Sequence, residues 1–244
     1  MRETVLVTGA TGGIGSALVR LLIDQGYGVV GWDIQLQEPD AVLFEGANYT
    51  LVDHTDSQAV AEAASRLPGL DHAVLLAGRA LPIEAQYEAT DELPSADEFE
   101  ASVLLNLCGH YNVIRALTPL LMVSTASSSI TLASSINARE GFGLPAYASA
   151  KAGLSGLVVA LAGRLGRRGI RINAVELGTV HTSASEREWA HAPEHFQSLE
   201  AGTALGRLTT AEEAARSYLV MIRDLTSVTG TSLLVDAGQS VVRG

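Results

Sequence analysis

Cysteine and lysine each occur once in the 244 residues, and aromatic side chains make up only 5% of them. The single Cys108 can form no internal disulfide, so the fold has to hold by packing rather than by the cross-links of small secreted domains. Basic residues are also short: 16 Lys and Arg against 27 Asp and Glu give a net charge of −11. That sign disfavours a general affinity for nucleic acid or for an anionic membrane surface. The longest apolar stretch, Gly153 to Gly163, holds three glycines in 11 residues, whereas a bilayer span needs about 20 apolar residues. No cationic and apolar leader precedes the first acid, Glu3, and no linker-like tract or internal repeat interrupts the chain. The expectation is one cytoplasmic domain over residues 1–244, without a membrane span and without nucleic acid or membrane as partner.

What is present is an alternation of short apolar runs with helical patterns. Thr4 to Val7 reads as a buried parallel strand. After the turn Thr8–Gly13, residues Ile14, Ala17, Leu18, Leu21 and Leu22 line one helical face, and Gly26 ends it. Further strands are expected at Gly28–Trp32, Tyr49–Val52, His72–Leu76, Ser129–Ala133, Arg171–Val175 and Ser232–Val235. Helices are expected at Asp97–Leu121, Ala148–Leu165, Ser185–Glu200 and Thr210–Ile222, while Pro39 and Gly46 leave little room for one between the second and third strands. Such a beat predicts an α/β fold, a parallel sheet with helices on both faces, whose ligands lie beyond the carboxyl ends of the strands.

Gly9, Gly13 and Gly15 follow the first strand and open the first helix. Glycine there lets backbone approach a pyrophosphate, and the N–H groups of the helix start face its charge. A turn that merely tolerates glycine would show the same residues. Asp33, however, ends the second strand, where a carboxylate accepts hydrogen bonds from ribose hydroxyls and repels a 2′-phosphate. No Arg or Lys lies between Thr8 and Ser16, and Ile34 rather than a base follows the acid. These residues favour NAD over NADP; an ordinary solvated carboxylate is the plain alternative for Asp33.

The one lysine, Lys151, stands four residues after Tyr147. On a helix the two side chains share a face, a turn apart. A phenol titrates near 10, so proton transfer at neutral pH asks for a fall of roughly 2 to 3 units, or about 3 to 4 kcal/mol. A unit charge at about 4 Å supplies on the order of 4 kcal/mol at an effective dielectric of about 20. The compact ammonium is suited to this; a planar guanidinium is bulkier and aims differently. The pair predicts a proton donor and acceptor, Tyr147, made more acidic by Lys151. Ser134, just after the fifth strand, is placed to hold a substrate oxygen.

With these residues assembled, the chain resembles the short-chain dehydrogenase/reductase family over essentially its whole length. Thr8-Gly9-Ala10-Thr11-Gly12-Gly13-Ile14-Gly15 is similar to the family's T-G-x-x-x-G-x-G turn, and Tyr147-Ala148-Ser149-Ala150-Lys151 to its Y-x-x-x-K. The resemblance implies a doubly wound Rossmann sheet of about seven strands in the order 3-2-1-4-5-6-7. It implies a catalytic set of Asn106, Ser134, Tyr147 and Lys151, with Ser134 thirteen residues before the tyrosine and Ser135 as the second choice. It further implies an NAD site made by Gly9, Thr11, Gly12, Gly13, Ile14, Gly15, Asp33, Ile34, Asp53, His54, Ala77, Gly78, Tyr147, Lys151, Gly178, Val180 and Thr182. Val235-Asp236-Ala237-Gly238 resembles the family's last-strand signature, near which subunits meet; a homotetramer is implied, with a homodimer as the alternative. The implied activity is NAD(H)-dependent interconversion of a secondary alcohol and a ketone on a small organic substrate.

Two departures stand out. Leu75-Leu76-Ala77-Gly78 replaces the family's Asn-Asn-Ala-Gly, and Leu177-Gly178 replaces Pro-Gly, which removes a fixed φ near the nicotinamide. Substrate walls are expected at 136–146 and 179–204, the latter a lid, with Phe142, Leu144, His181, Trp189 and Phe196 as contacts. His191 and His195 share a helical spacing, but Pro193 lies between them, and no metal site is expected. Arg164, Arg167, Arg168 and Arg171 bracket a helix end, where cations meet the negative dipole. A protein that keeps the dinucleotide fold as a sensor or scaffold, without chemistry, is the rival reading.

Overall fold

The computed structural model describes residues 2–36, 43–84, 92–140, 144–188 and 193–242. Its main sheet contains β1 (Thr4–Thr8), β2 (Gly28–Asp33), β3 (Ala47–Leu51), β4 (His72–Leu75), β5 (Ser129–Ser135), β6 (Arg171–Leu177) and β9 (Ser232–Val235). The spatial order is β3-β2-β1-β4-β5-β6-β9, and every pairing is parallel. This is the expected doubly wound order. Two short strands, β7 (Val180–His181) and β8 (Thr209–Thr210), form a separate parallel pair that the sequence pattern does not announce.

The period of two in each strand sorts its side chains between two cores. Leu6, Leu75, Ile130, Leu132 and Ile172 pack on one face. They meet α2 (Ser57–Ser65), α4 (Gly109–Met122) and α5 (Pro145–Gly166). Val5, Val7, Val74, Ala133 and Val175 pack on the other, against α1 (Gly13–Asp24) and α8 (Ala211–Arg223). Parallel strands buried on both faces need apolar residues at nearly every position, which is why the strands read as continuous runs.

Some elements differ from expectation. Helix α2 is short and rich in alanine; Asp56 caps it by accepting from the N–H groups of Gln58 and Ala59. The helix expected at Asp97–Leu121 is interrupted. It comprises α3 (Ala96–Val103), a π-helical turn at Leu104–Cys108, and α4. The pattern at Ser185–Glu200 resolves into α6 (Ser183–Glu188) and α7 (Pro193–Ala201). By length and composition α5 is apolar enough to cross a membrane. In the fold one face of it packs on β5 and β6, with Ala150, Lys151, Leu154 and Val158 buried, while the rest of its apolar surface is only partly covered.

Candidate active site

A cavity of about 600 Å³ opens beyond the carboxyl ends of β1, β2 and β4. Gly9, Thr11, Gly12, Gly13, Ile14 and Gly15 form its floor, and Asp33, Ile34, Asp53, His54, Ala77, Gly78 and Thr182 its sides. A Cβ on Gly15 would overlap the Gly9 carbonyl oxygen, so the turn closes this tightly only with glycine there. The first helical N–H groups consequently face the cavity without side chains in front of them. These residues fit a dinucleotide pyrophosphate. Gly178 follows β6 and Val180 begins β7, and both, like Tyr147 and Lys151, are outside the cavity lining.

Asp33 is held in place by its neighbours. Its Oδ2 accepts from the Thr11 N–H at 3.0 Å and the Thr11 hydroxyl at 2.8 Å, and its Oδ1 accepts from the Ile34 N–H at 2.8 Å. Asp53 is occupied differently: its Oδ1 accepts from the N–H and hydroxyl of Thr55 at 2.8 and 2.7 Å, bonds that keep its carboxyl below the usual range.

Asn106 and Lys151 stand next to Gly78 at one end of the cavity, and neither they nor Ser134 and Tyr147 are among the residues that line it. Tyr147 and Lys151 lie one turn apart on α5, with Nζ 5.4 Å from the centre of the phenol ring. Lys151 is 3% exposed and donates to the Ala133 carbonyl at 2.8 Å. Asn106 sits in the π-helical turn, fully buried, where Nδ2 donates to the carbonyls of Arg79 (2.9 Å) and Ser102 (3.1 Å). Its Oδ1 has no hydrogen-bond partner among the described residues. A Cβ built on Gly78 would stand 2.7 Å from that oxygen and 3.6 Å from Lys151 Nζ, which places both at the same end of the cavity. An orphaned buried acceptor beside a buried cation marks a place where a ligand or water completes the set.

The two serines have different partners. Ser134 donates to the Lys151 carbonyl at 3.1 Å. Ser135 Oγ donates to Asn137 Oδ1 at 3.1 Å and accepts from the Asn137 N–H at 3.2 Å, and its hydroxyl works to lower the pKa of the Tyr147 phenol. Ser134 shares strand parity with Ile130 and Leu132, which face α5; Ser135 has the opposite parity and ends the strand.

The expected acidification of Tyr147 is not supplied by the protein's own groups. Burial pushes the phenol up to about 12, the Ser135 hydrogen bond opposes this, and the charge of Glu84 adds to it. Burial likewise takes Lys151 down to about 8. Desolvation disfavours the charged form of each group.

Two further groups, Glu84 and His110, carry no signal in the sequence, while His54, expected at the cofactor site, also lines the cavity. Glu84 is 1% exposed, and its Oε1 accepts from the Tyr147 backbone N–H at 2.8 Å. His54 reaches the π-helical turn, with Nε2 2.8 Å from the Leu105 carbonyl. A Cβ on Gly109 would overlap that imidazole. His110, buried, stacks obliquely 5.6 Å from His54.

Both departures in motif are compensated. Thr8 ties the strands where the asparagines are missing, accepting at its hydroxyl from the Ala77 N–H at 3.2 Å. Gln239 clamps the loop after Leu177-Gly178, with Oε1 accepting from the Thr179 N–H at 2.8 Å and Nε2 donating to the Thr179 hydroxyl at 3.1 Å. Of the expected substrate contacts, His181 and Phe196 meet edge to face at 5.2 Å. Phe142, Trp189 and His191 lie outside the described residues, and so does the side chain of His195. Among the described residues no cluster of metal-ligating side chains occurs. Arg171 caps a helix as expected of the arginines, but the helix is α8: its guanidinium donates to the carbonyls of Met221 (2.8 Å) and Ile222 (2.9 Å).

Comparison with known proteins agrees with this geometry. A family model described as Enoyl-(Acyl carrier protein) reductase matches residues 9–240. An uncharacterized oxidoreductase of Schizosaccharomyces pombe is 32% identical over 97% of this chain and 90% of its own. An L-rhamnose 1-dehydrogenase (NADP(+)) of Thermoplasma acidophilum is 28% identical over 98% and 96%. A crystal structure of an oxidoreductase of the short-chain dehydrogenase/reductase family from Burkholderia thailandensis superimposes with a TM-score of 0.87 at 30% identity, covering 98% of this chain and 93% of that one. Sheet order, nicotinamide-type cavity and relatives together make this chain an oxidoreductase of alcohol or carbonyl substrates, a member of the short-chain dehydrogenase/reductase family.

Proposed function

We propose that the protein interconverts a secondary alcohol and a ketone, or a similar carbonyl, on a small organic molecule, with NAD(H) as its cofactor and Tyr147 as general acid and base. The observation that carries this reading is the Tyr147–Lys151 pair on one helix face, with Lys151 Nζ and Asn106 Oδ1 next to Gly78, which lines the same cavity as Asp33. The glycine turn would hold the pyrophosphate, Asp33 the adenosine ribose, and Asp53 with Ala77-Gly78 the neighbourhood of the adenine. The bound nicotinamide supplies or accepts the hydride.

The protein's own groups handle the proton. Reduction of a carbonyl needs a proton at its oxygen, and a phenol that burial keeps protonated is ready to give one. Oxidation needs the reverse, and the Lys151 ammonium is the charge on the same helix face that favours a phenolate. Ser134, beside the Lys151 backbone, is the hydroxyl assigned to orient the substrate oxygen, with Ser135, which works to lower the pKa of the Tyr147 phenol, as the second choice. Asn106 presents its unpaired Oδ1 at the lysine end, in keeping with a relay position.

Asp33 supports NAD over NADP by charge, although a relative acts with NADP(+). The segment 179–204 is suited to a lid, because Thr182 already lies against Gly13 of the cofactor turn. Apolar side chains exposed on α4 and α5 and the turn before α4, Leu104, Tyr111 and Val159, favour an assembly of subunits over a monomer. A panel of aldoses, secondary alcohols and oxo-acyl thioesters, followed by nicotinamide absorbance, tests the function. Turnover of at least one compound with NAD(H) is expected. NADH binding with no turnover across the panel would favour the sensor reading instead.

A further inference from the structure

We propose that Glu84 is the positioning residue for Tyr147: its buried carboxylate closes the open start of the tyrosine helix from another segment and locks that helix to the one bearing Asn106. The proposal rests on the role given to Tyr147 above. Helix α5 begins without a cap of its own, since Leu144 stands at the N-cap position and offers no side-chain oxygen. Pro145 brings no N–H, so the first donors needing an acceptor are those of Ala146 and Tyr147. Glu84 answers from the segment after β4, where Oε1 accepts the Tyr147 N–H at 2.8 Å.

The other oxygen reaches the opposite way. Oε2 accepts from the Leu81 N–H at 2.9 Å and from the Ser102 hydroxyl at 3.0 Å. Ser102 lies on α3, one turn before Asn106, and its carbonyl accepts from Asn106 Nδ2 at 3.1 Å. One carboxylate thereby joins the tyrosine backbone, the serine and the asparagine in a single buried chain. All three groups around it are donors, which a carboxylate accepts on two oxygens. A glutamine offers only one oxygen and points an NH₂ at a donor. A negative group at a helix N-terminus is also favoured by the peptide dipoles.

The same placement has an electrical consequence. The titratable groups facing the phenol, among the described residues, are Lys151 on its own helix, Glu84, and Tyr218 on α8. Of these, Glu84 opposes phenolate formation. Its removal therefore makes Tyr147 more acidic while loosening the helix that carries it.

The test uses the full-length protein saturated with NAD+, and needs no substrate, so its outcome is separate from the fate of the substrate panel. Glu84→Gln keeps the volume and drops the charge; Glu84→Asp keeps the charge and gives up reach. Tyr147 is titrated by tyrosinate absorbance, with Y147F as the blank, and backbone exchange over residues 146–149 is followed by hydrogen–deuterium exchange. We expect both variants to speed exchange at Tyr147 by about tenfold or more. Glu84→Gln alone should move the tyrosine titration down, by about half a unit to one unit. Unchanged exchange in both variants, or a Glu84→Gln titration that overlays the wild type, overturns the proposal.

Discussion

Asp33→Asn is expected to weaken a preference for NADH over NADPH by about tenfold or more. The carboxylate stands at the mouth of the cofactor cavity with three donors already on it, from Thr11 and Ile34, and has acceptor capacity left for ribose hydroxyls. A 2′-phosphate of about −1.5 to −2 charges, some 5 Å away, is repelled by roughly 0.8 kcal/mol per charge at the dielectric of water, and by more as the site dries. Asp33 is half-buried, so the lower figure applies, about 1.5 kcal/mol or roughly tenfold. The hydrogen bond that a ribose hydroxyl gives to a charged acceptor adds about 1.5 to 3 kcal/mol. Together these predict NADH binding about 100-fold or more tighter than NADPH binding at low salt. In Asp33→Asn the ratio should fall by at least about tenfold, chiefly through tighter NADPH. Fluorescence titration of both dinucleotides, at two ionic strengths, measures it; the charge-dependent part should shrink with salt. Equal affinities in the wild type, or a ratio untouched by the substitution, would refute the role given to Asp33.

The remaining predictions concern the serines and the buried histidines. Ser134→Ala should lower kcat by about 100-fold, in the range of a lost positioning or acid-base hydroxyl, whereas Ser135→Ala, which loses its bonds to Asn137, should cost chiefly stability, about 1 kcal/mol; steady-state kinetics beside chemical melts separate them, and the opposite pattern gives the role to Ser135. His54, His72 and His110 are held below 6.5 by burial, so the folded chain keeps them neutral. The unfolded chain binds their protons as the pH falls through about 6.5, so stability is full above that value and declines below it by up to ~1.4 kcal/mol per pH unit for each histidine. Urea melts at pH 7.5 and 5.5 should show the loss, and His110→Asn should reduce it; pH-independent stability would contradict the burial.

Much of this was legible because strand and helix periods are local properties. The apolar runs gave the parallel sheet, and the position of the glycine turn after β1 gave the cavity that its neighbours now line. Helix α2 was missed because alanine carries little hydrophobic contrast, although Asp56 before it is a cap signal. The β7–β8 pair joins residues about thirty apart and leaves no local pattern. Glu84 could not be read at all: its partners Tyr147 and Ser102 are distant in sequence, and only the packed fold brings their donors to one carboxylate. The pairing of Tyr147 with Lys151 could be counted from sequence, whereas the burial that raises the phenol could not.

The most direct measurement is Tyr147→Phe on a compound reduced in the panel, with NADH affinity determined on the same preparation. Loss of the phenolic oxygen alone should cut kcat by about 1,000-fold or more, as removal of an acid-base group does, with the Kd for NADH unchanged within about twofold. Turnover that survives at wild-type rate would show that the proton comes from elsewhere, and the account of this site would fall.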